Sequence, residues 1–554
     1  MTPGRPETGV SVATIQIPAR FERPTLEGGL HPRRRRRPPI WLWLPALLIG
    51  VVVLLPLVYL VARASEGGEA AWLVIARPRT VEVVVNTIAL VGAVAASTVV
   101  IAVPLAWLTT RTDLPGRRVW ATVSALPLVI PSYVGALVLV AAVGPRGMLQ
   151  GWLEPLGVER LPSIYGFWGS WLALTLFTYP YAYLSVRAAW RGLDPGLEEA
   201  ARGLGQSAWQ AFHRVTLPQL RPAIGAGALL VALYCVADFG VVSLLRFDAF
   251  TRAIYVQYQT AFDRSAAAAL ALLLVGFTVA LLIVETRIRG RATLYRISSG
   301  SARAAKPVAL GRWKYPAVGF CATIVALALG LPLAVLGFWL GRTLLDRDPG
   351  QYVAAAALTS LTLGFWTAVL ATAAALPLAI LAVRYPGWLG TLAERSSYLG
   401  YALPGIVLAI AFVALAVRTP WYQTLPLLIV ACTVRFLPQA VGSTRLSLLQ
   451  VSPRLEEAAR GLGHSVPRVL TRVTLPLVRP GLLAGASLVL LTTMKELPVT
   501  LLLIPIGERT LPTLIWTAAG DARYGEAALP ALLLVAVSAL PTLLLAVRDQ
   551  APLA

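Results

Sequence analysis

The chain has 554 residues, of which 57% are hydrophobic and 13% charged, with a formal net charge of +22 and a mean hydropathy of +0.71. A soluble domain cannot cover so much apolar surface, so the composition excludes an ordinary globular enzyme and implies a polytopic membrane protein. The basic excess lacks the folded, aromatic-bearing module of a nucleic-acid binder and falls instead in short segments between apolar runs.

Residues 1–39 are polar and rich in Pro and Arg, ending in Arg33 to Arg37, and are expected to be a disordered cytoplasmic tail. Apolar runs long enough to cross about 30 Å of hydrocarbon then lie near 40–62, 82–109, 120–143, 166–187, 223–245 and 267–285. Ala62-Arg63-Ala64 offers a signal-peptidase-like site, but the first run is longer than a signal core and reads as a full span. A second set lies near 315–338, 356–382, 397–417, 422–444, 481–504 and 527–547. The expected fold is therefore all-α, with about twelve transmembrane helices in two parallel six-helix repeats, 40–285 and 315–547.

With the N-terminus inside, the cytoplasmic segments hold 33 Lys and Arg and the outer loops 13. That bias orients the chain with both termini, the second being 548–554, in the cytoplasm. The linker 286–314 carries eight basic residues and no acidic one, which suits anionic lipid headgroups. Cys235, Cys321 and Cys432 are scattered through apolar runs and read as buried free thiols. No His falls in a span, no metal-ligand spacing occurs, and no phosphate-binding glycine loop is present, so no catalytic residue, metal or cofactor is expected on this chain.

Two polar stretches between the apolar runs are nearly the same. Residues 197–222, LEEAARGLGQSAWQAFHRVTLPQLRP, and 455–480, LEEAARGLGHSVPRVLTRVTLPLVRP, align without a gap at an offset of 258, with 17 of 26 positions identical. An internal repeat at that distance marks a duplicated domain. Within each loop, 194–222 and 452–480, Asp194-Pro195 and Ser452-Pro453 start a helix, and Gly205 and Gly463 supply a left-handed stop. Ser207 and Ser465 cap a second short helix, which Leu217-Pro218 and Leu475-Pro476 are expected to end.

Glu199-Ala200-Ala201, Gly205 and Leu217-Pro218, repeated as Glu457-Ala458-Ala459, Gly463 and Leu475-Pro476, resemble the EAA loop of ABC importer permeases. The resemblance implies the type I importer permease fold in the bacterial cytoplasmic membrane. It also implies two copies of an ATPase subunit that carries ATP-Mg, and an extracytoplasmic substrate-binding protein. Glu199 and Glu457 would then meet basic residues of the ATPase. Asn86-Thr87, Pro104-Leu105-Ala106, Arg111-Thr112-Asp113-Leu114-Pro115-Gly116 and Leu126-Pro127 in the first half, and Pro377-Leu378-Ala379, Arg384-Tyr385-Pro386-Gly387 and Leu403-Pro404 in the second, extend the likeness. With Asp238-Phe239-Gly240 and Lys495-Glu496-Leu497-Pro498, they look like the fused permeases that import ferric iron. Fused thiamine, polyamine and phosphonate permeases are close kin. Asp113, Gly116, Arg117 and Arg118 also resemble part of the basic loop motif of major-facilitator transporters, a rival that gives no reason for two EAA-like loops.

Four charged residues fall in the interior of apolar runs. Asp238 and Glu496 are equivalent at the offset of 258, Lys495 adjoins Glu496, and Arg435 lies in the run before that of Lys495 and Glu496. One reading makes the carboxylates a facing pair that lines the path. The other, preferred, makes Asp238 or Glu496 an inter-helix anchor paired with Arg435 or Lys495.

Overall fold

The computed structural model describes residues 39–548 apart from 146, 159–160, 260–263, 291–306, 347–349, 386, 389, 393–396, 398–399 and 401–402. The expected N-terminal tail, most of the linker and nearly all of the C-terminal segment lie outside the described residues.

The first half contains α1 (Ile40–Glu66), α2 (Pro78–Arg111), α3 (Ser132–Val143), α4 (Phe167–Gly192), the loop helix α5 (Pro195–Gly203), α6 (Leu217–Ala237) and α7 (Arg264–Gly290). The second contains α8 (Gly311–Leu344), α9 (Gly350–Arg384), α10 (Gly405–Ala416), α11 (Leu425–Gln450), the loop helix α12 (Pro453–Gly461), α13 (Leu475–Met494) and α14 (Tyr524–Arg548). Among the described residues, nine helices are long and apolar enough to cross a membrane. The shorter apolar helices α10 and α14, together with the more polar α4, complete six spans per half.

Each half is built on three mutually packed helices, α2, α4 and α6 in the first and α9, α11 and α13 in the second. Small residues let them approach. A Cβ on Gly227 would lie 2.9 Å from Ala182 Cα, and one on Gly485 would lie 3.3 Å from Ala440 Cα, at equivalent crossings. The outer helices exchange between halves: α1 packs on α7 but also on α9 and α10, while α8 packs on α14 but also on α3. α3 and α10 are buried nearly all round and occupy the centre. Leu48, Val58, Val100 and Leu358 lie exposed on α1, α2 and α9, as a lipid-facing surface requires.

Several expected spans are interrupted. The run at 120–143 divides into a short helix Arg117–Val123, a 3-10 turn Leu126–Val129 and α3, because Pro127 and Pro131 remove amide donors. The runs at 223–245 and 481–504 break after Ala237 and Met494, and short helices Gly240–Leu244 and Pro498–Leu503 follow. The proline stops at Leu217-Pro218 and Leu475-Pro476 do not end a helix either. A π turn, Phe212–Thr216 or Leu470–Thr474, lets Leu217 and Leu475 bond back five residues to Phe212 and Leu470. The widened turn accommodates the proline, and the chain runs helically from Ala208 to Ala237 and from Val466 to Met494.

Candidate functional site

The duplicated loops form two matching handles. Asp194 Oδ1 accepts from Gly196 N at 2.9 Å and Ser452 Oγ accepts from Arg454 N at 3.4 Å, so both helix starts are capped. Both stops are Schellman turns. Gly205 N donates to Arg202 O and Gln206 N to Ala201 O, and Gly463 and His464 repeat this on Arg460 and Ala459. Gly205 and Gly463 stand at φ +86° and +85°, where a side chain is disfavoured.

The two glutamates of each handle divide their work. Glu198 is held at 2.7 Å by Arg111 at the end of α2, and Glu456 at 3.0 Å by Arg384 at the end of α9. Thr474 also donates to Glu456 at 3.3 Å, and Arg384 donates to Val451 O at 2.9 Å. Glu199 and Glu457 are exposed and form no ion pair among the described residues. Ala201 and Ala459 are buried beneath them, while Ala200 and Ala458 face out. Sequence reading missed the clamping arginines; each ends a long apolar helix, which was the available signal.

Beside Glu199 and Glu457 the handles expose Leu204 (85%) and Leu462 (81%). The first adds Trp209, 70% exposed, stacked on Phe212, which in turn stacks on Trp190. Its Ser207 and Gln210 complete a capping box, whereas Ser465 makes no side-chain cap. Leu217 and Leu475 continue into α6 and α13, with Pro218 and Pro476 just inside.

At the helix breaks the equivalence of Asp238 and Glu496 holds for position but not for partners. Both carboxylates accept an amide three residues on, from Val241 at 2.9 Å and Val499 at 3.3 Å. Asp238 is further satisfied by the Ser132 hydroxyl, whereas Glu496 takes the Arg435 guanidinium at 2.9 Å. Gly405 makes room for that ion pair: a Cβ there would lie 2.8 Å from Glu496 Oε1 and 2.9 Å from Arg435 Cζ. The anchor arrangement therefore applies to Glu496. Asp238 meets a hydroxyl and an amide rather than a base, and the Lys495 side chain pairs with neither carboxylate. The halves meet here, with Tyr133 Oη donating to Lys495 O at 3.4 Å and Phe239 lying 5.2 Å from Trp516. No group of three or more metal-ligating side chains occurs among the described residues.

The family model for the binding-protein-dependent transport system inner membrane component matches residues 98–293 and again 375–550. The chain belongs to this family. Each match contains one handle and one helix break, so this is a fused permease with the type I fold present twice. It is 34% identical to the Fe(3+)-transport system permease protein FbpB 2 of Haemophilus influenzae over 517 residues, covering 92% of this chain and 98% of that one. The ferric transport system permease protein FbpB of Actinobacillus pleuropneumoniae is 24% identical over 482 residues, covering 81% and 68%. The sulfate transport system permease protein CysT of Escherichia coli is 29% identical over 254 residues, covering 44% of this permease and 90% of its own length.

Proposed function

We propose that this permease forms the translocation path for ferric iron in a binding-protein-dependent ABC importer. The observation that carries the substrate is the alignment with an Fe(3+) permease through both halves, whereas the sulfate permease aligns with less than half of this chain. ATP is hydrolysed on a separate subunit, two copies of which dock on the two handles. A substrate-binding protein delivers iron from outside. The chain sits in the bacterial cytoplasmic membrane with both termini inside, an orientation supported by the 33-to-13 distribution of basic residues.

Coupling is mechanical. Glu199 and Glu457 offer unpaired charge, and Leu204 and Leu462 offer apolar contact, to basic and apolar groups of the motor. Glu198 and Glu456, clamped to α2 and α9, carry each handle's displacement into its three-helix core. Closure of the ATPase dimer then rocks the halves about the contacts near Tyr133 and Phe239. Asp238, Arg435 and Glu496 lie at the helix breaks where the halves meet.

The test is reconstitution of the permease with its ATPase and binding protein in proteoliposomes. Ferric ion should stimulate ATP hydrolysis and accumulate inside, while sulfate, thiamine and polyamines should do neither. Stimulation by one of those three instead would overturn the substrate. Uptake without the ATPase would overturn the importer.

A further inference from the structure

The residues that follow α2 join three parts of the chain. Arg111 holds Glu198 of the first handle at 2.7 Å. The next residue, Thr112, pairs as an isolated parallel bridge with Val308 at the described end of the linker. Val308 N donates to Arg111 O at 2.7 Å, and Asp113 N donates to Val308 O at 3.1 Å. Asp113 then uses both carboxylate oxygens on the same segment: Oδ1 accepts from Leu310 N at 2.9 Å, and Oδ2 meets Lys314 Nζ at 3.0 Å. Leu310 and Lys314 flank the start of α8, which rests on α3 of the first half and α14 of the second.

Among the described residues the second half shows no counterpart. Arg384 clamps Glu456 as Arg111 clamps Glu198, but Tyr385 and Pro386 follow it. Proline carries no N–H to repeat the donation that Asp113 makes, and no carboxylate stands there. The device is therefore not part of the duplicated unit. It acts only where the fused chain passes from the first half to the second.

We propose that Arg111-Thr112-Asp113 is a junction that carries the first handle's movement directly into α8, with Asp113 as its positioning residue. This rests on the coupling role proposed for the handles. The handle clamp and the linker stitch fall within three consecutive residues, too few for independent motion. A displacement applied at Glu198 thus reaches α8 without first crossing the membrane-embedded contacts between halves. The described end of the linker, 307–314, is a transmission element, and its contacts with Arg111-Thr112-Asp113 stay closed through the cycle.

The experiment uses the full chain with its ATPase and binding protein in proteoliposomes and reads ferric ion taken up per ATP hydrolysed. Asp113→Ala should lower that ratio about three- to tenfold, as expected when two hydrogen bonds to a charged group are lost, with the ATPase still bound and hydrolysing. Asp113→Asn keeps an oxygen for Leu310 N and should fall less. The exchange Asp113→Lys with Lys314→Asp should recover much of the ion-pair contribution, which a merely structural role at the surface would not require. A disulfide between Thr112→Cys and Val308→Cys should leave the ratio at the wild-type value. An unchanged ratio in Asp113→Ala, or loss of transport on cross-linking, overturns the junction while the handle coupling stands. Absence of a bound ATPase from the wild-type chain overturns the handle coupling itself. If Asp113→Ala fails to insert, the cross-linked pair and Asp113→Asn still decide.

Discussion

Replacing Gly205 and Gly463 together with valine perturbs the handles and little else. Both glycines lie at strongly positive φ, +86° and +85°. A residue bearing Cβ costs about 1–2 kcal/mol in that region, and the branched Cβ of valine places it at the upper end. No heavy atom lies within 4 Å of the added Cβ at either position, so the cost is confined to the backbone. Relief requires a flip to negative φ, which breaks the bonds from Gly205 to Arg202 and from Gln206 to Ala201 and swings the following short helix off its bearing. A cost of about 2 kcal/mol shifts a two-state handle roughly 30-fold toward the displaced geometry. The amount of protein in the membrane should stay near wild type, because the spans are untouched. ATPase co-purification and uptake should both fall by up to roughly 30-fold, while Asn, which tolerates the left-handed region, should retain most of both. Full uptake and full ATPase binding by the double valine variant would refute the lever.

Other substitutions probe the clamps and the centre. Glu456→Ala should destabilise the second handle by about 3 kcal/mol, since it leaves the charge of Arg384, whose side chain is 13% exposed, without its carboxylate. Glu198→Ala should cost about 1 kcal/mol, because Glu198 is 24% exposed and water can replace it; limited proteolysis at the two loops ranks them, and equal sensitivity would count against the difference. Gly405→Ala should push Arg435 off Glu496 and cost about 1–3 kcal/mol, read as a lowered Tm, and the Arg435→Met/Glu496→Gln background should absorb most of that loss. Asp113 is held below the ordinary carboxylate value of 3.8 by the Leu310 amide first and then by Lys314. Since a depressed carboxylate stabilises only while ionised, the stitch should hold at neutral pH and loosen as pH falls below about 4; spin labels at 112 and 308 should separate in that range, and separation at pH 6 would contradict the assignment.

Much of the fold is legible without coordinates because its causes are local. Apolar runs mark most spans, and a closely similar stretch repeated 258 residues on marks the duplication. The capping residues Asp194 and Ser452 and the stops Gly205 and Gly463 act within one or two turns of themselves, so their roles follow from residue type and order. The π turns were not legible. Leu217-Pro218 and Leu475-Pro476 read as stops from the ordinary conflict between proline and helix, and only the packed chain shows the wider turn that resolves it.

Sequence by itself determined that the chain is a membrane protein of two like halves, each with a polar handle, because hydropathy, charge bias and repetition are properties of the chain as written. Tertiary structure decided which charges meet. Arg111 finds Glu198 across 87 residues, Arg384 finds Glu456 across 72 and Arg435 finds Glu496 across 61, while Asp238, equivalent in position to Glu496, receives a serine hydroxyl instead. An ion pair in a bilayer protein depends on where helix ends and breaks fall in space, and its partner at that distance in sequence leaves no periodic or local trace. The same holds for Asp113 and Lys314, whose meeting depends on where the start of α8 lies against the end of α2.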